Sequence, residues 1–158
     1  MAGQSRSFAF ERLASYDTEA VQSLKENWTT RNSSLKFYGS DRNVNVIRFS
    51  NDNAERGGVA DICEFKPLPL SNIKRPSGPP GLVITNPPYG ARIGKKKDLF
   101  ALYTAFGDVM REKFAGWRIG MITSDIKLAE ATNLPWLNTG PPIAHGGLKV
   151  RLFRTEAI

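Results

Sequence analysis

Short apolar runs alternate with stretches of helical periodicity along this chain, and this alternation constrains the fold more than any other feature. The apolar runs, each closed by turn residues, lie at residues 35–38, 81–85, 117–123 and 148–153. The middle two lack strict alternation, which is typical of strands buried on both faces. Strands that alternate with helices predict an α/β fold built on a mostly parallel sheet.

Three helices are predicted between these runs. A short one follows Asp17, and another runs from Val44 towards Ala54 and ends at the glycine pair 57–58. The longest has Asp98 as its predicted N-cap. Its apolar face recurs with helical spacing at Leu99, Leu102, Tyr103, Phe106, Met110 and Phe114.

Composition limits the class of protein. The 158 residues suit one domain, 1–158. The proline-rich stretches 67–80 and 135–147 are predicted to be loops within it, and the second is predicted to contain a short strand near Trp136 and Leu137. Lys and Arg number 22 against 15 for Asp and Glu, and the resulting charge of +7 favours a nucleic-acid partner. No apolar run approaches the roughly 20 residues that cross a bilayer, and no signal peptide is visible.

Cys63 is the only cysteine and His145 the only histidine, which bears on disulfide formation and on metal binding. A single cysteine excludes an intramolecular disulfide, which suits a reducing, cytoplasmic setting. A single histidine without a cysteine pair does not support a metal site, so none is predicted.

Polar residues follow several predicted strand ends, where ligands bind in open α/β sheets. Asp41 is placed to accept hydrogen bonds from ribose hydroxyls, although capping the Val44 helix explains it equally well. Asp61, after a short apolar run at 58–60, could accept a hydrogen bond from an adenine amino group while Ile62 packs on the ring. An ordinary loop carboxylate is the alternative for Asp61.

The sharpest motif is the NPPY loop, defined as Asn86, Pro87, Pro88 and Tyr89, which directly follows an apolar strand. The Asn86 side-chain oxygen and the Pro87 carbonyl can accept both N–H bonds of a base amine, which localises its lone pair for attack on a methyl donor. The prolines stiffen the loop because their φ is fixed, and Tyr89 can stack on an extruded base. A rigid β-turn with an exposed tyrosine is the alternative.

A basic run follows the loop and is predicted to contact nucleic-acid phosphates. It contains Arg92, Lys95, Lys96 and Lys97. A solvated approach to the next helix explains the same charges without any ligand.

With Asp41, Asp61 and the NPPY loop in this order, the chain resembles class I methyltransferases. The words at 6–11, 39–42 and 123–125 bring it nearer to the methyltransferase domain of THUMP-associated 23S ribosomal RNA guanine-N2 methyltransferases, and the resemblance runs from about Arg6 to Glu156. Those proteins are often labelled N6-adenine-specific DNA methylases. The resemblance implies a Rossmann-like fold with an antiparallel C-terminal strand, S-adenosylmethionine as cofactor and a base amine as target.

The same resemblance implies a role for each matching residue. Asp41 would hold the cofactor ribose, and Asp61 with Ile62 would hold its adenine. Asn86, Pro87 and Tyr89 would hold the target base, Pro88 completes the catalytic loop, and Asn86 would also face the cofactor.

Two departures from the family qualify these expectations. Ala91 stands where the family usually has glutamate, and the family's first strand and glycine-rich loop, expected before Arg6, are not found. The resulting gap leaves strand edges that need pairing, so either the two neighbouring strands close up or an upstream segment or a second chain fills the space. The chain alone is therefore expected to bind S-adenosylmethionine weakly or not at all. An adenine-N6 DNA methyltransferase and a non-catalytic RNA-binding module are the alternative functions.

Overall fold

The computed structural model describes residues 7–26, 34–89 and 96–158, and within these ranges the chain forms six strands and four α-helices. It divides into two compact units, unit 1 (Met1–Leu68) and unit 2 (Pro69–Ile158), which are described separately below. The division falls inside the proline-rich stretch at 67–80. None of the helices in the described ranges is long and apolar enough to cross a membrane.

Unit 1 is a small parallel strand pair with two helices. In chain order its elements are α1 (Thr18–Glu26), β1 (Phe37–Ser40), α2 (Val44–Arg56) and β2 (Cys63–Lys66). β1 and β2 run parallel, with Phe37 opposite Cys63 and Ser40 opposite Lys66. Parallel strands require a crossover connection, and α2 provides it.

Local signals in the sequence define both helices of unit 1. The Asp17 carboxylate accepts the Ala20 N–H at 2.9 Å at the start of α1, and Asn43 caps α2 by accepting the Asn45 N–H at 2.9 Å. α2 ends at Gly57, as predicted. The predicted strand at residues 58–60 is wrong, since this segment leads into a 3₁₀ turn and the strand begins at Cys63.

Unit 2 holds the larger sheet. Its elements are β3 (Leu82–Thr85), α3 (Lys96–Lys113), β4 (Arg118–Thr123), α4 (Ile126–Ala131), β5 (Ile143–His145) and β6 (Leu148–Arg154). The strand order is β3-β4-β6-β5, with β3 and β4 parallel and β6 antiparallel to both of its neighbours. This arrangement confirms the predicted α/β class and the antiparallel C-terminal strand.

The core of unit 2 forms between α3 and the sheet. The helical face predicted from sequence is confirmed, because Tyr103 and Met110 are almost fully buried, as are Ile119 and Met121 on β4. A Cβ atom added at Gly107 would lie 1.8 Å from the carbonyl oxygen of Thr132, where α4 ends. Only glycine at this position allows α3 to approach the end of α4 this closely.

Three local predictions about unit 2 are wrong. The strand expected near Trp136 lies instead at β5, because the hairpin turn at Gly146 and Gly147, both at positive φ, sets the pairing of β5 with β6. α3 begins at Lys96, so Asp98 is in the first turn rather than at the N-cap, where its charge still favours the helix dipole. β3 is not buried on both faces, since Ile84 is 69% exposed.

Candidate functional site

The NPPY loop lies at the carboxyl end of β3. Because β3 and β4 run parallel, with Thr85 opposite Met121, the loop after β4 emerges at the same edge of the sheet. Asn86 is exposed, whereas Pro87, Pro88 and Tyr89 are half-buried. The loop therefore occupies the position at which α/β sheets bind ligands, with its asparagine open to solvent.

A chain of hydrogen bonds ties this loop to the core. The buried Tyr103 hydroxyl of α3 lies 3.3 Å from the Pro88 carbonyl oxygen and 3.2 Å from the Thr123 hydroxyl oxygen. The Asp125 N–H donates to the same Thr123 oxygen at 3.2 Å. A carbonyl can only accept, so the consistent arrangement has Thr123 donating to Tyr103 and Tyr103 donating to Pro88.

Tyr103 is held in its neutral, donating form. Burial raises the pKa of its phenol above the ordinary value, the hydrogen bond with Thr123 acts in the opposite direction, and the nearby charges of Asp125 and Tyr89 raise it further. The phenol consequently keeps its proton, and with it the bond to Pro88, throughout the neutral range.

Asp125, at the same edge of the sheet, has a structural role. Its carboxylate caps α4 by accepting the Lys127 N–H at 2.9 Å and the Leu128 N–H at 3.3 Å. Both of these hydrogen bonds hold the carboxylate at the start of α4, where it acts as the helix cap. The polar chemistry of this edge therefore rests on the NPPY loop itself.

Tyr89 packs against the core of unit 2 rather than standing fully in solvent. The turn with an exposed tyrosine, which was the alternative explanation of the motif, does not describe this placement. A half-buried ring keeps a fixed orientation and part of its surface open, which is what stacking on a flat base requires.

Asp41 lies in unit 1, directly after the carboxyl end of β1, and is exposed. The explanation that it caps α2 is wrong, because Asn43 is the N-cap and Asp41 instead accepts the Asn43 N–H at 2.7 Å. A carboxylate has about four lone-pair sites. This local bond therefore leaves Asp41 able to accept further hydrogen bonds from hydroxyl groups.

Asp61 lies at the opposite end of the strand pair from Asp41, which corrects the expected placement. It precedes β2, and the Lys36 ammonium, just before β1, donates to its backbone carbonyl at 2.5 Å. By the register Asp61 is level with Leu35, six residues before Asp41, which is roughly 20 Å along the strands at about 3.3 Å per residue. One adenosine cannot span that distance. The carboxyl end of β2 leads instead into Pro67.

The predicted basic residues are only partly described. Arg92 and Lys95 lie outside the described residues, as does the side chain of Lys96. Lys97 is exposed in the first turn of α3. Its phosphate contact stays a prediction.

Sequence reasoning placed Tyr103 in the core but missed its bond to the loop. The available signal was a hydroxyl on an otherwise apolar helix face, since a buried Tyr O–H usually finds a partner. Thr123 carried a similar signal, because a fully buried threonine at a strand end needs a partner for its hydroxyl.

The fold is similar to the folds of Rossmann-like methyltransferases of known structure. The chain superimposes on a possible methylase from Clostridium difficile 630 with a TM-score of 0.80 and 27% identity, covering 98% of this chain and 41% of that one. It superimposes on SMU.472 complexed with SAH with a TM-score of 0.81 and 24% identity, again covering 98% and 41%.

Residues 1–138 match the family described as "RMKL-like, methyltransferase domain", and the chain belongs to that family. Among curated relatives, the ribosomal RNA large subunit methyltransferase K/L of Shewanella sp. strain W3-18-1 is 36% identical over 137 residues, which is 83% of this chain and 19% of the relative. The protein of the same description from Shewanella sp. strain MR-4 is 35% identical over 133 residues, or 80% and 18%. The chain thus spans about a fifth of the length of these relatives.

Proposed function

We propose that this chain is an S-adenosylmethionine-dependent N-methyltransferase domain that acts on an exocyclic base amine, with guanine N2 of 23S ribosomal RNA as its target. The observation that carries the proposal is the NPPY loop at the carboxyl end of β3, with Asn86 exposed and Pro88 fixed by Tyr103. The family supports methyl transfer. The relatives described as ribosomal RNA methyltransferases support an RNA substrate.

The loop would act by orienting the target amine. The Asn86 side-chain oxygen and the Pro87 carbonyl accept its two N–H bonds, which withdraws the lone pair from the ring and directs it outward. When bound, S-adenosylmethionine would supply an electrophilic methyl group to the lone pair that Asn86 and Pro87 direct, and the proton given up by the amine would pass to solvent. Orientation and electrostatics would supply most of the rate enhancement.

The cofactor assignments fit the chain unequally. Asp41 suits the ribose, because an acidic residue after a strand end binds ribose hydroxyls in dinucleotide folds. Asp61 and Ile62 are at the wrong end of the strand pair to share one adenosine with Asp41. We therefore retain Asp41 as the ribose-binding residue of unit 1, and Asn86 in unit 2 keeps its separately predicted cofactor-facing role.

The outer edge of β3 would receive another strand. β3 pairs with β4 on one side only and ends the order of strands in the described sheet, so its other edge presents backbone groups to which a further strand can bind. An apolar strand of a parallel sheet is normally covered. An upstream segment or a second chain would supply the missing strand. Micromolar binding of S-adenosylmethionine by the 158-residue chain in calorimetry would contradict this requirement.

The decisive experiment uses a form of the chain completed by the missing strand, so that it binds S-adenosylmethionine. It replaces Asn86 by alanine and measures methyl transfer to 23S ribosomal RNA, with the methylated nucleoside identified by mass spectrometry. Loss of one preorganised polar contact in the transition state should lower kcat about 100-fold or more while leaving cofactor affinity nearly unchanged. Asn138→Ala, which removes another exposed asparagine of unit 2, is the matched control.

Each outcome of that assay separates one alternative. N2-methylguanosine formed by the completed chain with Asn86 intact supports the proposal, and N6-methyladenosine would establish the adenine alternative. RNA binding without any transfer would indicate a non-catalytic module. Full turnover by Asn86→Ala would remove Asn86 from the mechanism.

The basic run would bind phosphates next to the target base. Replacing Lys95, Lys96 and Lys97 together by alanine should weaken RNA binding. It should also make the slope of log Kd against log salt less steep, by the amount expected for the loss of up to about three phosphate contacts. An unchanged salt slope in a filter-binding titration would discard this role.

A further inference from the structure

The prolines stiffen the NPPY loop but give it few groups through which hydrogen bonds can attach it to the core. Pro87 and Pro88 have no N–H group, so they can be attached to the scaffold only through their carbonyl oxygens. Their φ angles are fixed, which leaves rotation about ψ as the main freedom of the segment. A donor placed on the Pro88 carbonyl would therefore restrict the main rotation left to that residue.

Tyr103 is placed to be that donor. Its side chain is 1% exposed and its ring belongs to the core of unit 2, so the hydroxyl cannot follow the loop if the loop moves. The hydroxyl lies 3.3 Å from the Pro88 carbonyl oxygen, 15 residues away in sequence. With the Pro88 carbonyl turned inward to Tyr103, the carbonyl of Pro87 is left for another donor.

Thr123 sets the direction of the Tyr103 hydroxyl. It is fully buried at the end of β4, 3.2 Å from the Tyr103 oxygen, and its own oxygen already accepts the Asp125 N–H. Its proton is therefore available to Tyr103, whose proton is then directed to Pro88. A fixed backbone amide at the start of α4 is thus connected through two hydroxyls to the loop.

We propose that Tyr103 and Thr123 are positioning residues that hold the Pro88 carbonyl inward and so present Asn86 and the Pro87 carbonyl to the target amine. The proposal rests on the proposed function of the NPPY loop, but its structural part can be tested on the free chain without cofactor or RNA.

The sequence provides a direct probe of this bond. Pro88 and Tyr89 form the only Pro-Tyr pair among the 158 residues. Labelling proline with ¹³C at the carbonyl and tyrosine with ¹⁵N therefore assigns the Pro88 carbonyl resonance without further experiments. Tyr103→Phe keeps the ring and removes the donor, so the Pro88 carbonyl resonance should move upfield. Tyr16→Phe, in unit 1, is the matched control and should leave it in place.

Two threonine variants complete the test. Thr123→Val keeps Tyr103 but removes the group that orients it, so a smaller upfield movement is expected, whereas Thr123→Ser keeps the hydroxyl and should restore the original resonance. This pair carries the test if Tyr103→Phe does not fold. A Pro88 resonance that is the same in folded Tyr103→Phe, or in Thr123→Val, as in the unaltered chain overturns the proposal.

Kinetics then separates positioning from general stability. In the methyl-transfer assay Tyr103→Phe should lower kcat about fivefold to tenfold, the range for one neutral hydrogen bond, with KM for the cofactor unchanged. A rise in KM alone would count against positioning. A displaced Pro88 resonance in a chain that never transfers methyl groups would support the positioning role while rejecting the proposed function.

Discussion

The two units support their candidate residues in different ways. In unit 2 the NPPY loop is attached to a core that includes Tyr103 and Met110, which are 1% and 0% exposed. In the described part of unit 1 the buried hydrophobic residues are Ile47 and Ala54, while Phe49 is 55% exposed. The position of the loop is thus fixed by contacts with a packed core, whereas the position of Asp41 is not.

This difference shows in the hydrogen bonds of each region. Asp41 is bonded to Asn43, two residues along the chain, so the contact shapes only its own turn. Pro88 is bonded to Tyr103 on another element of the core. Functional groups are placed accurately when packing and secondary contacts fix their supports. The described structure therefore fixes the NPPY loop in unit 2 more firmly than it fixes Asp41 in unit 1.

The largest expected effect compares one apolar residue from each unit. Met110→Ala removes a side chain that is 0% exposed and should lower the free energy of unfolding by about 2–5 kcal/mol, through lost burial and the cavity left behind. Phe49→Ala removes a larger side chain that is mostly in solvent, and it should cost about 1 kcal/mol or less. Urea denaturation followed by circular dichroism measures both.

If Phe49→Ala lowered the free energy of unfolding as much as Met110→Ala, the contrast between the two units would be wrong. Such a result would mean that the apolar surface of α2 is covered in solution, for example by another copy of the chain. Repeating the denaturation at a tenfold different protein concentration distinguishes the two cases, since only association makes the midpoint depend on concentration.

Much of unit 2 could be predicted from periodicity. The spacing of Leu99, Tyr103, Phe106 and Met110 identified the buried face of α3, because apolar residues that recur every three or four positions lie on the same side of a helix. The strands β3, β4 and β6 followed from apolar runs ending at turn residues. These features depend on residues that are near one another in the sequence.

The position of Asp61 could not be predicted in the same way. The run at 58–60 is apolar but only three residues long, too short to tell a strand from a turn, and Gly58 is at φ +64°. Which end of β2 faces Asp41 depends on the pairing of Phe37 with Cys63, a contact over 26 residues that leaves no periodic signal. Asp61 was therefore assigned to the wrong strand end.

The bond from Tyr103 to Pro88 was missed for a related reason. A helical repeat predicts that the Tyr103 side chain is buried, but it does not identify the acceptor that the buried hydroxyl meets. The exposure of Ile84 is a further case, because it depends on what lies beside β3 rather than on β3 itself. Sequence patterns predicted the environment of these residues and not their partners.

The smallest effect concerns the pH dependence of stability and sharpens the same contrast. Because the folded-state pKa of Tyr103 is raised above 10.0, chiefly by burial, its contribution to folding is fully present below pH 10 and is lost as the pH rises through the raised value. Asp125 and Tyr89 are the titratable groups that raise it further. The measurement is urea denaturation of the unaltered chain and of Tyr103→Phe between about pH 8 and pH 11, a range around that value. The difference in the free energy of unfolding between the two should be constant up to about pH 10 and should shrink above it. A difference that stays constant throughout would show that the Tyr103 hydroxyl is open to solvent, and the loop would then have lost its attachment to the core.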